Sequence, residues 1–124
     1  MDYLNYIIDN YYNLPEIVSF IDPSFSGSIE DLKNQAKEFG FSQNLEAFEC
    51  SDDFKTKFKN LLRYDPPNVV YRHAQNTFVT TRFMIKNRPK TYYIYLKSVY
   101  DPEFFESAWL RIYGGHLYMS DKYR

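Results

Sequence analysis

The run Asp65-Pro66-Pro67 divides the chain into two stretches with different hydrophobic periods. Before it, apolar residues recur every three or four positions, as on one face of a helix. After it they alternate, as on a strand with one buried side. The two prolines remove two backbone donors and push the preceding residue into extended geometry, so no helix runs through them. The expected fold class is α+β, with N-terminal helices packed on a C-terminal antiparallel β-meander of about four or five strands. The 124 residues contain no linker-like or low-complexity tract. A single domain over 1–124 is expected, mainly helical over 1–65 and sheet over 68–120.

In the first half, Leu4, Ile7, Ile8 and Tyr11 mark a helix over 2–12. Asn13-Leu14-Pro15-Glu16 resembles a capping box, and a short helix carrying Ile17, Val18, Phe20 and Ile21 is expected to follow until Asp22-Pro23 stops it. Ser28 suits the N-cap of a third helix with Ile29, Leu32, Ala36 and Phe39 on one stripe, ended by Gly40. Residues 42–50 read ambiguously. Ser51-Asp52-Asp53 then opens a fourth helix with Phe54, Phe58, Leu61 and Leu62 on its apolar face.

In the second half, strands are expected at Val69–His73 and Thr77–Lys86, joined around Gln75-Asn76, and at Thr91–Val99. Asp101-Pro102 reads as a break before a strand at Phe104–Tyr113. Gly114-Gly115 reads as a hairpin turn returning through His116–Ser120. Alternation sorts the last three strands into two faces. Tyr92, Ile94, Leu96, Ala108, Leu110, Ile112, Leu117 and Met119 would meet the helices. Tyr93, Tyr95, Lys97, Trp109, Arg111, Tyr113 and Tyr118, with His116, would form the opposite face.

That second set matters because the chain is rich in rings, with 13 Tyr, 11 Phe and 1 Trp. Tyr, Trp and Arg are the residue types most enriched at interface hot spots. The expected binding residues are therefore Tyr93, Tyr95, Lys97, Trp109, Arg111, Tyr113 and Tyr118. Three readings of the face stay open: a surface for a protein partner or homodimer, a nucleic-acid platform, or tyrosines shielding a one-sided sheet. A one-residue slip in register would exchange the two faces.

The net charge of −1 conceals a split. Residues 1–62 hold five Lys/Arg and eleven Asp/Glu, whereas residues 63–124 hold ten and five. Between Pro66 and Tyr100 lie Arg72, Arg82, Lys86, Arg88, Lys90 and Lys97 with no acidic residue. Such a segment can meet phosphates or acidic proteins, or it can neutralise the acidic half within the fold.

Candidates for chemistry are sparse. Cys50 is the one cysteine, so no intramolecular disulfide is expected and a reducing, cytoplasmic setting is the simplest. The start carries no secretory pattern, and no apolar run has the length to span a membrane. His73 and His116 are remote from Cys50 and lack metal-ligand spacing. Glu46, Glu49, Asp52 and Asp53 read as a solvated acidic helix start. Gly114-Gly115 lacks the spacing of a phosphate cradle. No catalytic residue, metal or cofactor is expected.

The order of elements, carried by Asp2–Tyr12, the helix after Ser51 and the long strands from Thr77 to Tyr113, resembles the nuclear transport factor 2-like superfamily. The resemblance implies a cone of curved sheet against N-terminal helices. It also implies roles from small-molecule enzymes to dimeric adaptors and bacterial immunity proteins. An open helix-plus-sheet sandwich fits the same pattern. The functional expectation is a non-catalytic binding protein, bacterial or phage, such as an immunity or inhibitor protein that neutralises a specific protein partner. The alternatives are a cone-shaped ligand-binding domain or enzyme with Tyr93, Tyr95, Trp109 and Arg111 in its pocket, and a single-stranded nucleic-acid-binding module using residues 72–97.

Overall fold

The computed structural model describes the backbone of residues 2–123 and the side chains of residues 3–114. The first helix, α1 (Asp2–Asn10), runs into a single 3-10 turn at Tyr11–Asn13. It buries Leu4 and Ile7, as the helical period requires. The next segment departs from expectation: Ile17–Phe20 is a strand, β1. Leu14 is extended at ψ 138°, and the chain leaves the turn as a strand that alternates Val18 and Phe20 inward with Ser19 outward.

Capping chemistry sets the next two helices. α2 (Ile29–Phe39) begins where Ser28 Oγ accepts from the Asp31 amide at 3.2 Å. It ends at Gly40, whose φ of +90° places it in the left-handed region. β2 (Leu45–Glu49) resolves the ambiguous stretch as a strand. Ser51 Oγ accepts from the Phe54 amide at 3.2 Å to start α3 (Asp52–Leu62), which buries Phe54 and Phe58. β3 (Val69–His73) stands where the alternation places it. A 3-10 turn at Ala74–Asn76 leads to β4 (Phe78–Thr81).

These strands form two antiparallel pairs and no meander among the described residues. β1 pairs with β4, Ile17 opposite Thr81 through Phe20 opposite Phe78. β2 pairs with β3, Leu45 opposite His73 through Glu49 opposite Val69. β3 and β4 are adjacent in sequence, yet each takes a partner from the first half of the chain.

After β4 the chain is helical, which corrects the expected strands. α4 (Arg82–Ile85) is one turn, started by Thr81 Oγ1 accepting from the Met84 amide at 3.2 Å. α5 (Lys90–Ser98) buries Tyr93 and Leu96, three residues apart, and α6 runs from Pro102 to Tyr123. Asp101-Pro102, expected as a break, is the start of α6. Asp101 Oδ1 accepts from the amides of Glu103 (3.2 Å) and Phe104 (3.4 Å), and Pro102 occupies the first turn, where no N–H is needed. Gly114 and Gly115 lie within this helix and make no hairpin. A Cβ on Gly114 would stand 3.6 Å from Met84 Cε and 3.7 Å from Leu110 Cδ1. The glycine therefore lets α6 run close beside the α4 turn.

Up to residue 114, α6 is buried on most of its circumference, at Phe104, Phe105, Ala108, Trp109, Leu110, Ile112 and Tyr113. Such a helix carries apolar residues on more than one face, so two-residue alternation can be read into it without meaning. It packs against β3 and α3, and its rings join those of α1, α3 and β4 in one aromatic core. The Phe78 and Tyr113 rings are stacked at 5.1 Å, and Phe105 meets Trp109 edge-on at 5.3 Å. Leu32, Ala36 and Val79 make a smaller core beneath α2. Among the described residues no helix is long and apolar enough to cross a membrane.

Candidate partner-binding site

Among the described residues, those expected to form one binding face are dispersed. Tyr93 is fully buried on α5 and donates to the Ile85 carbonyl at 2.6 Å; burial raises its phenol well above the usual value. Trp109 and Tyr113 are buried in the core. Tyr95 and Lys97 are exposed on α5, and Arg111 is half-buried on α6. Residues two apart on a helix point in different directions, so Tyr93, Tyr95 and Lys97 cannot line one strip as they would on a strand. The side chains of His116 and Tyr118 lie outside the described residues. Of the four residues expected to line a pocket, Tyr93 and Trp109 are buried, Arg111 is half-buried and Tyr95 is exposed, and the long strands over Thr77–Tyr113 that carried the superfamily resemblance are here β4 and three helices.

The basic segment divides in a similar way. Arg72 is absorbed by the fold: its Nε donates to Glu46 Oε1 at 2.8 Å across the β2–β3 pair, its Nη1 to Ser107 Oγ at 2.9 Å, and its guanidinium covers the Phe48 ring at 4.7 Å. Four other cations gather around the end of α1. In α4, Met84 and Ile85 point into the core, which turns Arg82 and Phe83 outward within the same turn. Phe83 is 79% exposed. It lines an open depression with Arg82, Lys86 and Asn87.

Lys86 links this depression to the tyrosines after α1. Its Nζ lies 5.5 Å from the Tyr11 ring centre and 5.9 Å from that of Tyr12, and Lys90 Nζ lies 5.1 Å from Tyr12. Tyr12 is 71% exposed. Arg88 sits over Tyr92 at 5.0 Å. The Tyr11 hydroxyl donates to the Arg88 carbonyl, and Arg82 Nη1 to the Leu14 carbonyl at 3.2 Å, tying the 82–88 segment to the first turn of chain after α1. Burial, then the neighbouring Tyr12, raises the Tyr11 phenol. Among the described residues none of Arg82, Lys86, Arg88 and Lys90 forms an ion pair. Lys86, Arg88 and Lys90 hold their positive charge on rings, where cation–π attraction orders them without neutralising them.

Two further candidates for chemistry, His73 and Cys50, lie among the described residues. His73 is fully buried in a polar chain. Its Nδ1 donates to Asn44 Oδ1 at 3.2 Å, a role fixed because Asn44 Nδ2 already donates to the Thr77 carbonyl at 2.7 Å. His73 Nε2 then accepts from the Tyr113 hydroxyl at 2.7 Å. Burial depresses the imidazole to about 3 and keeps it neutral. Cys50 is half-buried, and burial raises its thiol, which disfavours the reactive thiolate. No group of His, Cys, Asp and Glu suited to a metal ion occurs among the described residues.

The acid-free segment of the sequence contains all four of the clustered cations, but nothing in it points to Phe83 or Tyr12. Phe83 falls in an expected strand and Tyr12 at an expected helix end, with no signal that brings them together. Compared with known protein families, with curated proteins and with solved structures, the chain matches none.

Proposed function

We propose that the protein works by binding an acidic protein partner, with Phe83 as the anchor and Arg82, Lys86 and Lys90 meeting carboxylates around it. The observation that carries this reading is a phenylalanine ring 79% exposed among cations that no carboxylate of the described residues neutralises. Burying a Phe side chain contributes roughly 1.5–3 kcal/mol, and an aromatic anchor ringed by charge is a common arrangement at interfaces. The rings of Tyr11, Tyr12 and Tyr92 already carry Lys and Arg groups, so they offer bases a poor stacking surface. This favours a protein over a single-stranded nucleic acid. A small immunity or inhibitor protein that neutralises this partner is the form of the reading we put forward.

The test starts with affinity capture from the native host, followed by calorimetry on the purified partner. Phe83→Asp, and separately Lys86→Glu with Lys90→Glu, should each weaken binding at least ~10-fold while circular dichroism and melting temperature stay unchanged. Undiminished binding by both variants, or equal affinity for an oligonucleotide at physiological salt, would overturn the reading.

A further inference from the structure

A cleft of about 370 Å³ opens on another part of the surface, between the start of α1, the loop after β1 and the first turns of α6. That volume is in the range of clefts that hold metabolites. Half-buried Tyr3 and Tyr100 line it, with the buried Trp109. Asp22 and Glu106 bring two carboxylates to the same space, and among the described residues no Lys or Arg lines it. Neither carboxylate is in an ion pair among the described residues.

Asp22 is held ionised and in place. Its Oδ1 accepts from the Ser24 hydroxyl at 2.7 Å and the Ser24 amide at 2.9 Å. With a further bond from the Asn76 side chain, these hold its carboxyl below the usual range. Tyr3 donates to the Asn76 carbonyl at 2.9 Å; burial and then the Asp22 charge push its phenol up to about 12, so it stays a neutral ring. The rim carries strain as well. Asn76, which lines the cleft, adopts left-handed backbone at φ 50°, as does its neighbour Gln75 at 57°, and Asn76 Oδ1 is buried without a partner among the described residues.

We propose that this cleft binds a small organic ammonium ion, a primary or quaternary amine of metabolite size. The electron-rich rings of Tyr3 and Tyr100 suit a cation, with the buried Trp109 ring behind them, and desolvation strengthens that attraction. Asp22 and Glu106 supply the formal charge, and the tyrosine rings accommodate the carbon substituents that distinguish an organic ammonium from a metal ion. A neutral sugar would use the rings but leave the two carboxylates uncompensated. The cleft is independent of the Phe83 face, so either assignment can fail alone.

Trp109 is the one tryptophan in the chain, and its fluorescence therefore reports on this cleft. Choline and tetramethylammonium are titrated against the full-length protein, with glucose and sodium chloride as matched controls. The ammonium probes should shift Trp109 emission with saturation at millimolar concentration or below, and the controls should not. Glu106→Gln should raise the dissociation constant about five-fold, and Asp22→Asn with Glu106→Gln should abolish the response while the melting temperature stays within a few degrees. No saturable response to either ammonium probe, an equal response to glucose, or an unchanged response in the double variant would each overturn the assignment.

Discussion

Acidification should destabilise this protein through His73, and the effect can be worked out. The imidazole is neutral in the folded state, depressed to about 3 from an ordinary value of 6.5. Between those values the unfolded chain binds a proton at this residue and the folded chain does not, so stability falls as pH falls. The contribution is fully present above pH 6.5 and declines by up to about 1.4 kcal/mol per pH unit below it. From about pH 7 to about pH 4.5 the loss is about 2.5 kcal/mol, a large share of the roughly 5–15 kcal/mol that stabilises a typical domain. The assay is urea denaturation followed by circular dichroism at the two pH values, for the native protein and for His73→Gln. Carboxylates titrate in both, so the difference between the two pH dependences isolates residue 73. His73→Gln should start less stable at neutral pH, because Asn44 and Tyr113 lose their fitted partner, and should lose about 2.5 kcal/mol less on acidification. Equal pH dependences, or an NMR titration placing the His73 imidazole at its ordinary value, would refute the argument.

Two further predictions concern the scaffold. Trp109→Ala should cost roughly 3–5 kcal/mol by leaving a cavity among Tyr3, Phe78 and Phe105; a calorimetric loss under about 1 kcal/mol would mean that the ring is not part of the core. Gly40→Ala should cost about 1 kcal/mol or more, because a Cβ has 3.7 Å of room to Met84 but φ +90° is unfavourable for it; unchanged thermal melting would contradict the left-handed cap.

What the sequence shows directly is the local chemistry. Ser28, Gly40 and Ser51 act through their own backbone neighbours, so capping residues suffice to place α2 and α3, and alternation between turn signals places β3. Ile17–Phe20 is too short for periodicity to separate helix from strand, and its strand character comes from β4, distant in sequence. The β-propensity of residues 92–95 misleads in the same manner. Tyr92, Tyr93, Ile94 and Tyr95 favour strands on a half-buried surface, but packing against α1 decides for helix. The aromatic richness is a sign of the core more than of a surface. The exposed site depends on one ring, Phe83, turned outward because Met84 and Ile85 go inward, and no pattern in the sequence records that choice.

The strand pairing also governs the order in which the chain can assemble. β2, α3 and β3 are neighbours along the chain, so their hairpin-like unit closes a short loop and can form early. β1 is made before β2, α3 and β3 but pairs with β4, which follows all of them. Until then its Val18 and Phe20 have no β-partner, and β4 lacks a neighbour on the β1 side. An unpaired strand edge is a template for pairing with another copy. The interval between emergence of β1 and closure of the β1–β4 pair is therefore the period of greatest exposure to misassembly.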